Sequence, residues 1–228
     1  MRHSRRTVVS LLAGSSAATL LGIAPAHADA RRQALVDDCL AATKKVVESP
    51  DFPDVGNTLR RARGVLIVPN LVQGGFIIGA AGGRGVLMSR GDNAGWSYPA
   101  FYGMGSGSIG LQIGAKVAEV LFIVRTDKGL EALLDSRYKF GGEASLTVVT
   151  IGGGAAGATT AAAGADIVAY SKASGLFAGA ALEGSYLDPD NDWNQLYYGQ
   201  GARSRSIVID RRFSNPGAEP LRQYLAKL

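Results

Sequence analysis

The chain has 228 residues, of which 46% are hydrophobic and 19% charged, and its 31 glycines favour β-structure with tight turns. The formal net charge of +5 includes Arg2, Arg5 and Arg6; without them 21 basic residues face 19 acidic ones, a balance too weak for a dedicated nucleic-acid binder. Both histidines precede residue 29, and Cys39 is the only cysteine. The rest of the chain therefore cannot build a Ser-His-acid site, a Cys-His site, or a His- or thiolate-ligated metal centre.

The first 28 residues have the three parts of a secretory signal: a basic start, an apolar stretch over 8–23, and small residues at Ala26 and Ala28. The apolar stretch is shorter than the ~20 residues that span a bilayer, which favours a cleaved signal over an anchor. We predict cleavage after Ala28, and one domain over 29–228 that is periplasmic or peripherally associated with the cell envelope. Arg5 and Arg6 are typical of a twin-arginine signal. The ordinary Sec route remains open.

Helical periodicity appears at both ends of the mature chain. A helix is predicted over 29–48, and its apolar side carries Leu35, Cys39, Ala42 and Val46. A short helix follows Asn57, another spans 127–135, and a last helix begins at Pro216.

Glycine-punctuated apolar runs between these helices predict strands, which are expected over 65–68, 76–78, 86–89, 96–102, 109–118, 145–150 and 167–170. The alternation shifts phase near Glu119, which predicts a β-bulge there. The Gly/Ala/Thr-rich segment 151–165 fits either a loop or a tightly packed segment. The fold class predicted is α+β, mainly antiparallel β, with a barrel-like or sandwich-like Gly-rich sheet flanked by N- and C-terminal helices.

Three motifs allow other chemistries. Residues 105–110 match the dinucleotide fingerprint G-x-G-x-x-G, but no βαβ context surrounds them, so we interpret them as a turn between strands. Glu119, Glu143 and Glu183 are carboxylates in or beside strands, and a carboxylate-based hydrolase is the distant alternative function. Asp188, Asp190 and Asp192 alternate as in a calcium loop, although Trp193 and Gly199 exclude an EF-hand. An irregular calcium site and an acidic turn that caps a helix both remain open.

A basic set lies on the first two predicted helices, with Phe52 in the loop between them. Its members are Lys44, Lys45, Arg60, Arg61 and Arg63. Basic side chains beside an aromatic that can insert suit an anionic lipid surface. An ordinary solvated helical face explains the same pattern.

The run YSKASGLFAGAALEGSYL over 170–187 resembles the hallmark segment of the SYLF domain. Further similar motifs follow in the family's order at 62–65 with Ile67, 82–85 with Arg90, 95–100, 110–114, and Asn194 with 197–199. SYLF domains occur in eukaryotic endocytic proteins that bind phosphoinositides and actin, and in many bacterial envelope proteins. This chain is identified as an exported bacterial member of that family.

The resemblance implies a protein without catalytic activity or cofactor that binds anionic phospholipid surfaces. In animal members this property is attributed to an N-terminal amphipathic basic segment, which maps onto Arg31, Arg32, Lys44 and Lys45 here. The family's Gly-Arg after the strand over 145–150 is replaced by residues 152–155, so a headgroup contact by that arginine is not expected. The alternative function is a protein-interaction module of the cell envelope, which would bind an envelope protein.

Overall fold

The computed structural model describes residues 24–75, 78–92, 95–109, 114–135, 137–141, 146–153, 164–174 and 184–228. The helices of this part are α1 (Ala24–Val47), α2 (Val55–Arg60), α3 (Asp127–Asp135), α4 (Asn191–Tyr198), α5 (Ser204–Val208) and α6 (Glu219–Lys227), and the 3-10 turn Pro216–Ala218 precedes α6. The strands are β1 (Gly64–Gly75), β2 (Ile78–Gly91), β3 (Gly95–Trp96), β4 (Ala100–Ile109), β5 (Gly114–Val124), β6 (Tyr138–Lys139), β7 (Val148–Gly153), β8 (Ile167–Ser174) and β9 (Tyr186–Pro189).

The strands form one curled sheet in the order β6-β9-β4-β2-β1-β5-β8-β7, and β3 adds to β2. Neighbours pair antiparallel except β7 and β8, which are parallel. The predicted α+β class with a mainly antiparallel sheet and terminal helices is confirmed. In the described part of the chain, no helix has both the length and the apolar character needed to cross a bilayer.

The phase shift predicted near Glu119 arises on the neighbouring strand. Val68 pairs with Val120 and Leu71 with Ala118, so β1 holds one extra residue where β5 continues regularly. Pro69 and Asn70 of β1 therefore stand opposite the single residue Glu119 of β5. Proline favours a bulge at this point because it has no N–H to donate to the hydrogen-bond ladder. The bulge divides β1 into an early stretch that ends at Val68 and a late stretch that begins at Leu71.

Two other local predictions are corrected. The strand expected over 109–118 does not exist as one element, because Ile109 ends β4 and Gly114 begins β5. Residues 105–109, expected in a turn, lie inside β4 and pair with β2. The first 23 residues and most of the Gly/Ala/Thr-rich segment lie outside the described residues, and the predicted cleavage position after Ala28 falls in the first turns of α1.

Helices pack on both faces of the sheet. On one side, which we call the α1 face, buried residues of α1, α2, α4 and α6 contact Val65, Ile67, Phe101 and Leu121. On the other side, α3 and α5 cover residues such as Leu66, Leu87 and Phe122. Helix α1 buries Val36 together with the predicted Cys39, Ala42 and Val46, and the predicted Leu35 is partly buried against the same cluster. Successive strand residues point to opposite faces, which is why the apolar runs here read as continuous.

Candidate basic surface

The seven cations predicted to bind an anionic surface do not form one surface. Arg31 and Arg32 lie near the start of α1, whereas Lys44 and Lys45 lie near its end, about 20 Å away at 1.5 Å of rise per residue. The remaining three follow at and after α2. Their contacts divide them into buried, paired and unpaired groups.

Arg32 belongs to the buried group. It is 4% exposed, and its guanidinium lies 5.4 Å from the ring centroid of Trp193 on α4. Its Nε and Nη1 atoms are buried without a hydrogen-bond partner in the described structure. A guanidinium in this position cannot reach a lipid surface, so the prediction of Arg32 as a surface contact is wrong. Arg31 beside it is exposed.

Phe52 is also buried. It is 1% exposed, and its ring packs edge-to-face on Tyr170 of β8 with the centroids 5.5 Å apart. The Tyr170 hydroxyl donates to Oδ2 of Asp54 at 3.0 Å, and burial raises the pKa of Tyr170 to about 12. Insertion of Phe52 into a bilayer would break this cluster open. The prediction of an inserting aromatic at Phe52 is therefore wrong.

Lys45 and Arg63 form ion pairs with carboxylates of other elements. Lys45 Nζ lies 2.5 Å from Oε1 of Glu119 on β5. Arg63 contacts Asp92 at 2.7 Å and Asp127 at 3.2 Å. Hydrogen bonds and charge from these carboxylates raise the pKa of both cations. Because their charge is compensated within the chain, Lys45 and Arg63 are weak candidates for contact with an external anion.

Lys44, Arg60 and Arg61 are exposed, and none of them pairs with an Asp or Glu side chain of the described residues. Arg90 of β2 joins them, since its Nη1 donates to the carbonyl oxygen of Arg60 at 2.5 Å. We call these four side chains the basic patch. Arg90 was not predicted as a site residue because it stands alone at the end of a strand, and only the fold brings it to α2.

The basic patch is built on backbone carbonyls and aromatic rings. Arg60 Nη1 donates to the main-chain oxygen of Leu228, the last residue of the printed sequence, at 2.8 Å, and Lys44 Nζ lies 5.6 Å from the ring centroid of Tyr224 on α6. Arg90 meets the end of α2, where carbonyl groups lack helical partners and favour a cation. The contacts of Lys44 and Arg90 orient these two cations without neutralising them.

The three aspartates of the acidic turn do not converge on a metal. The predicted ligands were Asp188, Asp190 and Asp192. Arg137 pairs with the first at 3.0 Å and Arg84 with the second at 3.3 Å. The other carboxylate oxygen of Asp190 accepts from the N–H of Trp193 at 3.1 Å and caps α4. Within the described ranges no His, Cys, Asp or Glu cluster could hold a metal, so the calcium candidate is corrected to a helix-capping acidic turn.

The hydrolase alternative depended on three carboxylates. Glu119 is held by Lys45, and Glu143 and Glu183 lie outside the described residues. No convergence with Glu119 is seen in the part of the chain that the structure describes.

The α1 face has a second feature beyond the helices. One cross-strand row there is formed by Val117, Val72, Gly82, Gly105 and Tyr186, from β5, β1, β2, β4 and β9 in spatial order. Val117 is 58% exposed, Val72 45% and Tyr186 38%. We call this part of the α1 face the open half, and the part under the helices the covered half.

Comparison with known proteins gives the family. Residues 105–228 match the family described as "Ysc84: Las17-binding protein actin regulator". The chain belongs to the SYLF family. It is 31% identical over 172 residues to LAS seventeen-binding protein 3 of Saccharomyces cerevisiae, covering 74% of this chain and 37% of that protein. It is 29% identical over 161 residues to the human SH3 domain-containing YSC84-like protein 1, covering 70% of this chain and 47% of that protein.

This SYLF chain therefore spans less than half the length of these relatives. Its hallmark run contributes the end of β8 and the start of β9, and 175–183 lie outside the described residues. The first residue of the run, Tyr170, is fully buried and ties β8 to the loop before α2 through Asp54. Through Tyr170 the run therefore anchors α2, the helix that ends at Arg60 of the basic patch.

Proposed function

We propose that this SYLF chain is a non-catalytic interaction domain that binds anionic phospholipid surfaces through the basic patch. The supporting observation is the contrast between its cations. Lys44, Arg61 and Arg90 keep an uncompensated charge in the described structure, whereas cations such as Lys45 are paired with carboxylates. Uncompensated cations attract anionic lipid at about 1 kcal/mol each.

The family supports an interaction role without chemistry, because its description and its relatives' names are those of binding and regulatory proteins. The missing histidines and the single buried cysteine of the mature region agree with this role. Because Phe52 is buried, the proposed binding is electrostatic and superficial.

The site of action is proposed from the amino terminus. The basic and apolar layout of residues 1–28 supports export, and we place the protein in the periplasm, in contact with the envelope surface. Expression in a bacterium, fractionation and N-terminal sequencing test this, and Asp29 is the expected first residue of the periplasmic form. Recovery of intact Met1 in the membrane fraction would contradict the export proposal.

Vesicle cosedimentation tests the patch itself. The protein purified from the bacterium that expresses it should bind phosphatidylglycerol vesicles and not phosphatidylcholine vesicles. Binding should fall steeply between 0.1 M and 1 M salt, where the Debye length shrinks from ~10 Å to ~3 Å. The double variant Lys44→Gln, Arg61→Gln removes two charges whose side chains form no hydrogen bond or ion pair in the described structure. It should weaken binding about thirty-fold, the equivalent of ~2 kcal/mol.

The matched control is Arg205→Gln, Arg212→Gln, which removes the same charge from the region of α5, on the opposite face of the sheet. This control should bind within about three-fold of the parent, since net charge changes equally but the patch is intact. Equal weakening in the two variants would mean that only net charge matters, and the patch would then have no special role. Unchanged binding in the first variant would contradict the proposal directly.

A further inference from the structure

The open half of the α1 face is a trough with a bare floor. Between Val72 on β1 and Tyr186 on β9, the row passes through Gly82 and Gly105, whose positions carry no side chain. Three strand spacings separate the two walls, about 14 Å in all. The cavity over this floor has a volume of about 700 Å³, and Leu35 of α1 lines its inner side.

The glycines of the floor are not required by close packing within the chain. A Cβ atom built on Gly103, which lies one row away beside Arg84, would meet nothing within 4 Å, and one on Gly105 would meet only a carbonyl oxygen at 3.9 Å. Glycine weakens a strand, and its usual justification is the close approach of another group. Within the described structure no such group lies above these two positions, which leaves room there for another group to approach.

Exposed apolar side chains concentrate at this trough. Of the five large hydrophobic residues that are exposed in the described part of the chain, Val72, Val117 and Tyr186 lie in this one row. Contiguous exposed apolar surface next to polar residues marks interaction sites. A partner with an apolar side that fits between the walls is therefore indicated.

The neighbouring layer indicates the shape of that partner. Helix α1 covers the adjoining half of the same face, so the trough continues an existing helix-on-sheet interface at Leu35. A helix with its side chains is about 10 Å across, which fits a 14 Å span between wall backbones once the wall side chains are counted. A second helix laid beside α1 would complete the layer.

The outer wall adds a charge preference. Lys139 Nζ and the Arg137 guanidinium lie 5.4 Å and 5.2 Å from the ring centroid of Tyr186. Arg84 stands on the next row, and Asp188 and Asp190 pair with the two arginines. Three cations thus meet two carboxylates along this wall. An acidic flank on the incoming helix would complement the excess positive charge of this wall.

We infer that the open half is a docking site for an amphipathic α-helix of a partner protein, with its apolar stripe on Val72, Leu35 and Tyr186 and its acidic flank toward Lys139. The inference is independent of lipid binding, because the trough and the basic patch share no residue. It is an interaction through a helix in a groove, and the glycine floor lets the helix approach the sheet closely.

The test is a display library of randomised eighteen-residue helical peptides, selected on the protein and counter-selected on the double variant Gly103→Leu, Gly105→Leu. Enriched peptides should carry apolar residues at i, i+3 or i+4, and i+7, with acidic residues on one flank. Synthetic copies should bind the double variant at least ten-fold more weakly than the parent. Gly56→Leu, at a position equally open but on α2, should bind them within two-fold of the parent.

Several outcomes would overturn the inference. These are enriched peptides with alternating, strand-like apolar residues, equal binding to the parent and the double variant, and the absence of enrichment. The double variant should melt no lower than the parent; if it melts lower, Val72→Ser with Val117→Ser replaces it, with the same expected loss. Vesicle binding of the double variant should equal that of the parent. Loss of vesicle binding there would assign the trough to the membrane, whereas failure of the lipid proposal leaves the peptide result unaffected.

Discussion

The two halves of the α1 face are made by the same strands, but their side chains differ in burial. In the covered half, Ile67, Phe101 and Leu121 have no exposed surface, while in the open half Val72 and Val117 are about half exposed. Strand alternation, together with the one-residue bulge between Val68 and Leu71 of β1, puts all five on one side of the sheet. Alternation and the bulge therefore determine which way a side chain points, and the position of α1 determines whether anything covers it.

Glycines of the strands beneath the two halves also differ. A Cβ atom on Gly85, which lies beneath the covered half but shares a row with Tyr102 on the opposite face, would lie 2.2 Å from the carbonyl oxygen of Ile67, whereas one on Gly103 would meet nothing within 4 Å. The first glycine is needed for the close approach of two strands beside the bulge. The second glycine, Gly103, leaves open space above the floor of the trough. Substitutions beneath each half test this contrast.

The largest expected effect is at Phe101. Its ring packs edge-to-face on Trp193 and Tyr197, with centroids 5.8 Å and 5.1 Å away. Phe101→Ala should lower the free energy of unfolding by ~3–5 kcal/mol, because it leaves a cavity under α4. Val117→Ala in the open half should change it by less than ~0.5 kcal/mol. Urea titrations measure both, and comparable losses would show that the open half is packed as tightly as the covered one.

The next largest effect is at the two glycines. Gly85→Ala forces the Ile67 carbonyl to move and should cost ~1–3 kcal/mol. Gly103→Ala adds a methyl group into open space and should stabilise the fold by up to ~1 kcal/mol, since glycine in a strand costs more conformational entropy. Thermal melts of the pair should move in opposite directions. A destabilising Gly103→Ala would mean that the trough floor is structurally required.

A smaller effect is expected at Tyr170, whose hydroxyl binds Asp54 under the covered half. Tyr170→Phe should cost ~1 kcal/mol at pH 7. The folded pKa of about 12 lies above the unfolded value of ~10, so the contribution of Tyr170 is present below pH ~10 and is lost as pH rises toward 12. Unfolding at pH 7 and pH 11 should show the parent approaching the variant at the higher pH. A constant difference would contradict the buried hydrogen bond.

The smallest effect is expected outside both halves, at Asp166 before β8. Its carboxylate accepts from the N–H of Thr147 at 3.0 Å and the hydroxyl of Thr126 at 2.7 Å, which hold its pKa below the usual range. Its stabilisation is present above pH ~4 and is lost as the pH falls further. Asp166→Asn should therefore flatten the acid limb of a melting-temperature profile slightly, with no change in peptide or vesicle binding. An unaltered acid limb would remove Asp166 as a source of acid sensitivity.

Much of the fold follows from local pattern. The long helix, the helix over Asp127–Asp135 and the helix after Pro216 were predicted from period and caps, and the glycine-separated apolar runs predicted most strands. The break between Ile109 and Gly114 was missed, because alternation continues across it and no proline interrupts it. The short strand β9 was missed because pairing with β4 and β6 makes it a strand, and its four residues carry no period of their own.

The candidate site was predicted only in outline. Basic residues at α1 and α2 were visible, yet Arg32 is buried against Trp193 and Lys45 is paired with Glu119, 74 residues later. Arg90 comes to Arg60 from a different element, 30 residues away. The charge of a side chain is a property of the sequence. Whether that charge is compensated depends on which distant carboxylate the fold brings near.

The positions of the two histidines and the single cysteine excluded a Cys-His site and a His- or thiolate-ligated metal centre within residues 29–228, and local periodicity predicted which residues of a helix or strand share a face, because both can be read from the sequence itself. The burial of Phe52, the separation of paired from unpaired cations and the division of one sheet face into covered and open halves were decided by tertiary structure. The physical reason is that each depends on contacts between residues far apart in the chain. A bulge at Pro69 and the path of α1 across the sheet set those contacts, and neither the partners of the bulge nor that path is encoded in any single segment.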